Sequence, residues 1–100
     1  MYNAIQLDEN DNVATALCDI RANSYTVILN KDSCFSLLVH SDIPAGHKIS
    51  LSFVRKGKMI IKYGHIIGRA LDDIKAGDYI HIHNIESLRG RGDLDTSQTL

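Results

Sequence analysis

The stretch DIPAGHKISLS, residues 42–52, sets a tight-turn signal directly before an alternating strand signal, and it returns elsewhere in the chain. DIKAGDYIHIH covers residues 73–83, and a shorter copy, DIRAN, covers residues 19–23. Each copy begins Asp-Ile-x-Ala and continues with Gly or Asn. Asp favours turns because its short side chain bonds nearby backbone N–H groups. Gly and Asn are the residues that reach positive φ most readily. Pro44 suits the third position, where a φ fixed at about −65° starts a turn and no donor is needed. The pattern predicts three similar tight turns. Each is anchored by a buried isoleucine (Ile20, Ile43, Ile74), and each fifth residue (Asn23, Gly46, Gly77) takes a positive φ.

Outward from these turns, no segment keeps a helical period. Apolar residues alternate or come in short runs rich in Val, Ile and Leu, which is the strand signal. Strands are expected over 4–7, 25–29, 36–40, 49–54, 59–63, 66–70 and 79–83, and 13–17 is a strand or a single helical turn. DENDN (8–12) reads as a turn. Lys56-Gly57 suggests a hairpin joining 49–54 to 59–63. Aligning the two long turn copies matches Ile49 and Leu51 with Ile80 and Ile82, and Ser50 and Ser52 with His81 and His83. Period-two alternation then sends Ile80 and Ile82 inward and both histidines to the opposite face. Short strands, tight turns and few or no helices define an all-β domain over 1–88. From Arg89 the chain becomes polar and glycine-rich, so 89–100 reads as a tail or linker toward a further domain.

The composition, 44% hydrophobic and 23% charged, is that of a globular domain. A net charge of −1 supplies no overall field toward nucleic acid or membrane, and no apolar run reaches membrane-spanning length. Cys18 and Cys34 follow no paired ligand spacing. With a polar, acidic start over 1–12 they suggest a cytoplasmic protein with free thiols. Arg55, Lys56, Lys58, Lys62 and Arg69 follow one another with no acid between them. That run is either a solvated turn with its flanking strands or a patch for a small carboxylate or an acidic partner surface.

On residue chemistry alone, YIHIHN (79–84) stays open. On one strand face the Cα atoms of His81 and His83 lie about 6.6 Å apart. They suit exposed strand positions, contact with a substrate or partner, or two metal ligands completed by a third residue such as His47 or His65. Lys62 can hold a carboxylate as a point charge. Tyr63 is expected to pack with its hydroxyl hydrogen-bonded. Asp11 and Asn12 are most simply turn residues. No phosphate loop, nucleophile elbow or paired-carboxylate arrangement occurs.

Four motifs occur in order: DNVATAL (11–17), GHKISL (46–51), KYGHIIGRA (62–70) and HIHN (81–84). Joined by the DIxAG turns, they resemble the SAF domain of the altronate dehydratase family, which includes altronate and galactarate dehydratases and sulfolactate sulfo-lyases. The resemblance implies a β-clip fold of long bent hairpins. It implies a domain or small subunit of a lyase, active only with a large catalytic part that holds a divalent metal, iron or manganese. The reaction implied is loss of water from a sugar acid, altronate giving 2-dehydro-3-deoxygluconate, in hexuronate catabolism. The alternatives are a sulfolactate sulfo-lyase small subunit, or a stand-alone small-molecule-binding or assembly module. By motif position, His47 becomes the catalytic candidate. Asp11, Asn12, Lys48, Lys62, Tyr63, His81, His83 and Asn84 become candidates for contact with substrate or partner. No metal is expected to be held by this chain alone, His81 and His83 being the only candidates.

Overall fold

A computed structural model describes residues 2–88. Its strands are β1 (Ala4–Gln6), β2 (Val13–Ala16), β3 (Ser24–Asn30), β4 (Ser33–Val39), β5 (Lys48–Ser50), β6 (Met59–Lys62), β7 (His65–Ala70), β8 (Tyr79–Ile80) and β9 (Ile85–Ser87). No helix occurs among the described residues, so the all-β reading holds, and none is there to cross a membrane. One sheet has the order β4-β3-β1-β2-β5-β8, the other β6-β7-β9. The tail expected over 89–100 lies outside the described residues.

The turn device works in pairs, and it has a fourth member that the Asp-Ile pattern does not reveal. Residues 19–23 clasp residues 42–46 through reciprocal Ile20 and Ile43 N–H···O=C bonds of 2.9 and 2.8 Å. Residues 53–57 (FVRKG) clasp residues 73–77 in the same way, through Val54 and Ile74 at 2.8 Å each. The fifth residues sit at φ of 62° (Asn23), 87° (Gly46), 89° (Gly57) and 91° (Gly77). Their N–H groups donate to the carbonyls of Val39, Ala16, Ala70 and Ser50 respectively. Three first-position carboxylates cross to the opposite turn. Asp19 accepts from the Ala45 N–H, Asp42 from Ala22 and Asp73 from Lys56, all within 2.8–2.9 Å. In the fourth turn that position is Phe53. Ile20, Ile43, Val54 and Ile74 are all buried.

Residues 56–57 therefore do not close the expected hairpin. β5 pairs with β2 and β8, and β6 pairs with β7. Gly57 carries the positive φ of a clasp turn, and its N–H is spent on Ala70 across the clasp.

Each clasp closes the base of one hairpin, β3-β4 or β6-β7, so two turn–hairpin–turn units follow one another and share β5. Directly opposed residues in an antiparallel pair point to the same face. Val13 opposite Ser50, Thr15 opposite Lys48 and Lys48 opposite Ile80 define one face of the β2-β5-β8 ribbon. Ala14 opposite Ile49 and Ile49 opposite Tyr79 define the other. The first unit's core (Ala14, Ala16, Ile28, Val39, Ile43, Ile49) covers the second face. The second unit's core (Val13, Ile60, Ile67, Ile74, Ile80, Ile85) covers the first. Each fully buried isoleucine contributes about 1.5–3 kcal/mol of transfer free energy. β5 is thus covered on both faces, and Ser50, expected on an outward face, has no exposed surface.

Candidate functional site

β5 and β8 each follow a clasp turn, so the fold brings His47, just before β5, beside Tyr79, the first residue of β8. The Tyr79 hydroxyl lies 2.6 Å from His47 Nδ1. The His47 and His81 ring centroids are 5.1 Å apart, Tyr79 and His81 stack at 5.7 Å with 9° between planes, and His83 lies 5.7 Å from Tyr79. Four rings therefore form one cluster on the free edge of the larger sheet. His47, Tyr79 and His81 are half-buried and His83 is exposed.

The strand that delivers His81 and His83 is shorter than the alternation suggested. It ends at Ile80 because Asn84 turns the chain. The Asn84 side chain accepts from the His81 N–H at 3.0 Å and donates to the Tyr79 carbonyl at 2.8 Å. Ile82, expected inward, is 70% exposed at the tip of that turn. Asn84 is thereby a positioning residue for both histidines.

Lys48 is the charged member. Its side chain is confined between the two layers, and the residue is only 6% exposed. Burial first, and the charge of Lys62 second, lower its pKa from 10.5 to about 8. His81 is pushed below the ordinary imidazole value by loss of hydration, then by His47, Lys48 and His83. The groups that shift His81 and Lys48 are themselves bases: His47, His83 and Lys48 on His81, and Lys62 on Lys48.

Lys62, whose charge acts on Lys48, ends β6, and Tyr63 follows it in the β6-β7 turn. The Lys62 ammonium is 5.5 Å from the Tyr63 ring centroid. Tyr63 is 61% exposed at the turn tip, which corrects the expectation that it packs. That turn is a two-residue hairpin with φ of 58° at Tyr63 and 74° at Gly64. Asp11 holds it. Its buried carboxylate accepts from Tyr63 N–H at 2.9 Å, Gly64 N–H at 2.8 Å and Asp8 N–H at 3.2 Å. Asn12 donates to the Met59 carbonyl and accepts from the Ile61 N–H. Both side chains are engaged inside the chain, where they fix the turn that carries Lys62.

The basic run disperses on folding. Arg69 forms an ion pair with Glu86 on β9, Arg55 and Lys56 sit in the fourth clasp turn, and Lys62 ends β6, where its charge acts on Lys48. A shallow concavity of about 390 Å³ lies elsewhere, against Asp19, Arg21, Asp42 and Pro44. Two of those residues spend their carboxylates on the first clasp, so it offers little chemistry. Cys18 and Cys34 are free thiols. Among the described residues, no three His, Cys, Asp or Glu side chains converge as metal ligands. The histidine cluster therefore does not fit a complete metal centre, and no step is derived through one. Tyr79 is the site residue that the motifs did not single out. Its signal was the same alternation that paired His81 with His83, carried one step earlier in the strand.

A family model described as the altronate/galactarate dehydratase SAF domain matches residues 2–88. The chain belongs to this family. It is 38% identical over 91 residues to altronate dehydratase of Bacillus subtilis (strain 168), covering 87% of this chain and 17% of that protein. It is 39% identical over 80 residues to altronate dehydratase of Escherichia coli (strain K12), covering 80% of this chain and 15% of that protein. It is also 36% identical over 63 residues to the (2R)-sulfolactate sulfo-lyase subunit alpha of Paracoccus pantotrophus, covering 63% of this chain and 94% of that subunit. This SAF domain thus spans about a sixth of the altronate dehydratases it matches, and its relatives are segments or subunits of lyases.

Proposed function

We propose that this SAF domain acts as the substrate-covering part of an altronate-type dehydratase, a sugar-acid hydro-lyase. The observation that carries the reading is the ring cluster of His47, Tyr79, His81 and His83 on a free sheet edge. Its four rings are three imidazoles and a phenol, all able to hydrogen-bond and none a carboxylate. Such a face suits an anionic substrate and a second polypeptide that brings the missing acid–base and metal chemistry. Against that partner, His47 hydrogen-bonds a substrate hydroxyl or moves a proton at the leaving group, with Tyr79 holding its ring through Nδ1. Excluding water from the joint cleft strengthens each contact to developing charge. The catalytic part supplies the divalent metal, iron or manganese, and the reaction turns altronate into 2-dehydro-3-deoxygluconate in cytoplasmic hexuronate catabolism.

A second reading, the small subunit of a sulfolactate sulfo-lyase, is supported by the alignment that covers 94% of one such alpha subunit. Pull-down of the tagged chain from its source cells, followed by assay of the complex on altronate and on sulfolactate, separates the two. Loss of water from altronate by the complex, and none by the chain alone, is expected. Capture of no lyase polypeptide, or full turnover by the chain alone, overturns the proposal.

A further inference from the structure

Among the described residues the two sheets end on β4 and β8, and on β6 and β9. An open strand edge invites pairing with another chain, and proteins blunt such edges with short strands, charges and bulges. Three of these edges are blunted. β8 holds only Tyr79 and Ile80 before the Asn84 turn. β6 carries a bulge at Ile60–Ile61, and Asn12 occupies the Met59 carbonyl and both backbone groups of Ile61. β9 is short and carries Glu86. β4 has none of these devices. It runs from Ser33 to Val39 in unbroken register with β3, and neither strand contains a charged residue or a proline.

The direction of each backbone group on β4 follows from its ends. The Val39 carbonyl accepts from Asn23 on the β3 side, and Ser33 closes the two-residue loop opposite Asn30. Backbone groups alternate in direction along a strand, so Phe35 and Leu37 also bond to β3, while Cys34, Ser36 and Leu38 turn theirs outward. His40 continues the outward series and donates to the Gly77 carbonyl, so the turn at 73–77 covers that end. Cys34 and Ser36, both exposed, are left as the open window of the edge.

Such a window fits itself. A two-fold axis lays two identical strands antiparallel, so the same donors and acceptors meet without a second sequence. With the axis at Phe35, Cys34 faces Ser36 of a second copy and Ser36 faces its Cys34, each pair exchanging N–H···O=C bonds. The two Phe35 residues then oppose each other as a non-hydrogen-bonded pair, with Cα atoms about 4.5 Å apart, where side chains pack closest. Phe35, 38% exposed in the single chain, gains cover there. No like charges meet within the strands, because the charges of this hairpin, Lys31 and Asp32, are opposite in sign and confined to its tip.

We propose that β4 is a self-association edge, on which a second copy of this chain adds its own β4 antiparallel about an axis at Phe35. The larger sheet then continues from one copy into the other. The ring cluster lies at the β8 end of the sheet order, so each copy keeps it open, and the inference stands apart from the proposed function. A contact confined to one short edge is smaller than permanent interfaces, so the dimer should depend on concentration.

Sedimentation velocity of the full chain from about 10 μM to about 1 mM, with amide hydrogen exchange at both ends of that range, tests this. A shift from monomer to dimer is expected, with the Cys34 and Ser36 amides slowing as the dimer forms. Ser36→Lys puts a charge on the exposed edge and should weaken association about tenfold with the circular dichroism unchanged. Phe35→Cys in a Cys18→Ser, Cys34→Ser background reads the register. Oxidation by copper–phenanthroline in air should join two copies at residue 35, whereas Ser33→Cys in the same background, away from the axis, should not cross-link. A monomer throughout the range, a dimer that Ser36→Lys leaves intact, or cross-linking through residue 33 rather than 35 overturns the proposal. Protection of the Cys34 and Ser36 amides only in a complex with a lyase polypeptide also overturns it, and assigns the edge to that polypeptide.

Discussion

Alanine at Gly77 is expected to cost far more stability than alanine at Gly46 or Gly57, although the three share one turn design and nearly one φ. All three lie between 87° and 91°, where a side chain is strained by about 1–2 kcal/mol. A Cβ at Gly46 or Gly57 meets nothing within 4 Å, so that strain is the whole penalty. A Cβ at Gly77 would lie 2.0 Å from the Leu38 carbonyl oxygen and 3.1 Å from the His40 ring. The obstacle is backbone and cannot rotate away. Either the end of β4 or the turn must shift by about 1 Å to reach van der Waals contact. That shift strains two bonds, His40 N–H to Gly77 O at 3.0 Å and Gly77 N–H to Ser50 O at 2.8 Å. Each is worth about 1 kcal/mol net, and more where a donor is left dry. Gly77→Ala should therefore cost about 3–5 kcal/mol, against about 1–2 for the other two. Total stability for a domain of this size is about 5–15 kcal/mol, and 1 kcal/mol moves the Tm by about 4–8 °C. Urea and thermal unfolding followed by circular dichroism would read all three variants. Equal losses would refute the reasoning, because the turns would then differ in nothing that matters to stability.

The buried carboxylate of Asp11 organises the β6-β7 turn, so Asp11→Asn, which replaces one acceptor with a donor, should cost about 2–3 kcal/mol and speed amide exchange at Tyr63 and Gly64. Thr15 holds a buried hydroxyl with no partner among the described residues, so Thr15→Val should raise stability by about 0.5–1 kcal/mol in urea unfolding. Lys48 titrates at about 8 in the folded chain and at about 10.4 when unfolded, so the unfolded chain binds more protons between those values. Stability should then rise with pH across that window and stay level below it. The gain should be about 1–2 kcal/mol once solvent screening at the ammonium is discounted, and Lys48→Met should abolish the slope. Tyr79→Phe removes the hydroxyl at His47 Nδ1, and the His47 ring nitrogens should show a changed tautomer balance by NMR while the Tm moves by only a few degrees.

Where the chain repeats its own letters, the fold is readable. Asp-Ile-x-Ala-Gly names a turn chemistry, and three clasp turns with buried isoleucines and positive-φ fifth residues follow from it. The fourth turn keeps the geometry with other letters. Val54 replaces Ile and Lys56 replaces Ala, both tolerable because the second position needs only a β-branched anchor and the fourth contributes only its N–H. Phe53 cannot accept the N–H that Asp19, Asp42 and Asp73 accept, so one reciprocal bond is missing and the letter pattern goes with it. The false hairpin at Lys56-Gly57 has the same origin. A Gly between two strand-like runs is locally ambiguous, and only the pairing of Val54 with Ile74 decides that it belongs to a clasp. His83 is exposed but His81 is half-buried, so the outward placement holds only in part, and the alternation behind it fails at Ile82, because Asn84 offers the backbone a turn instead of a longer strand.

The location of the site follows from the sharing of β5. If each unit had its own central strand, one face of that strand could stay wet, and a lysine on it would be an ordinary surface charge. Shared between two units, β5 has no wet face. A lysine there is largely buried, and its charge acts on His81 at the strand edge where the clasp turns deliver His47 and Tyr79. The second unit also brings Lys62, because the β6-β7 turn is pinned by Asp11 and Asn12 from the segment that opens the first unit's ribbon. The cluster therefore draws on both units: His47 and Lys48 follow the first clasp, His81 and His83 the second, and His81 feels the other three. Breaking the Asp11 clamp on the β6-β7 turn, without touching any lysine, should let Lys62 move away and shift the Lys48 pKa back up toward the ordinary lysine value, read by NMR titration.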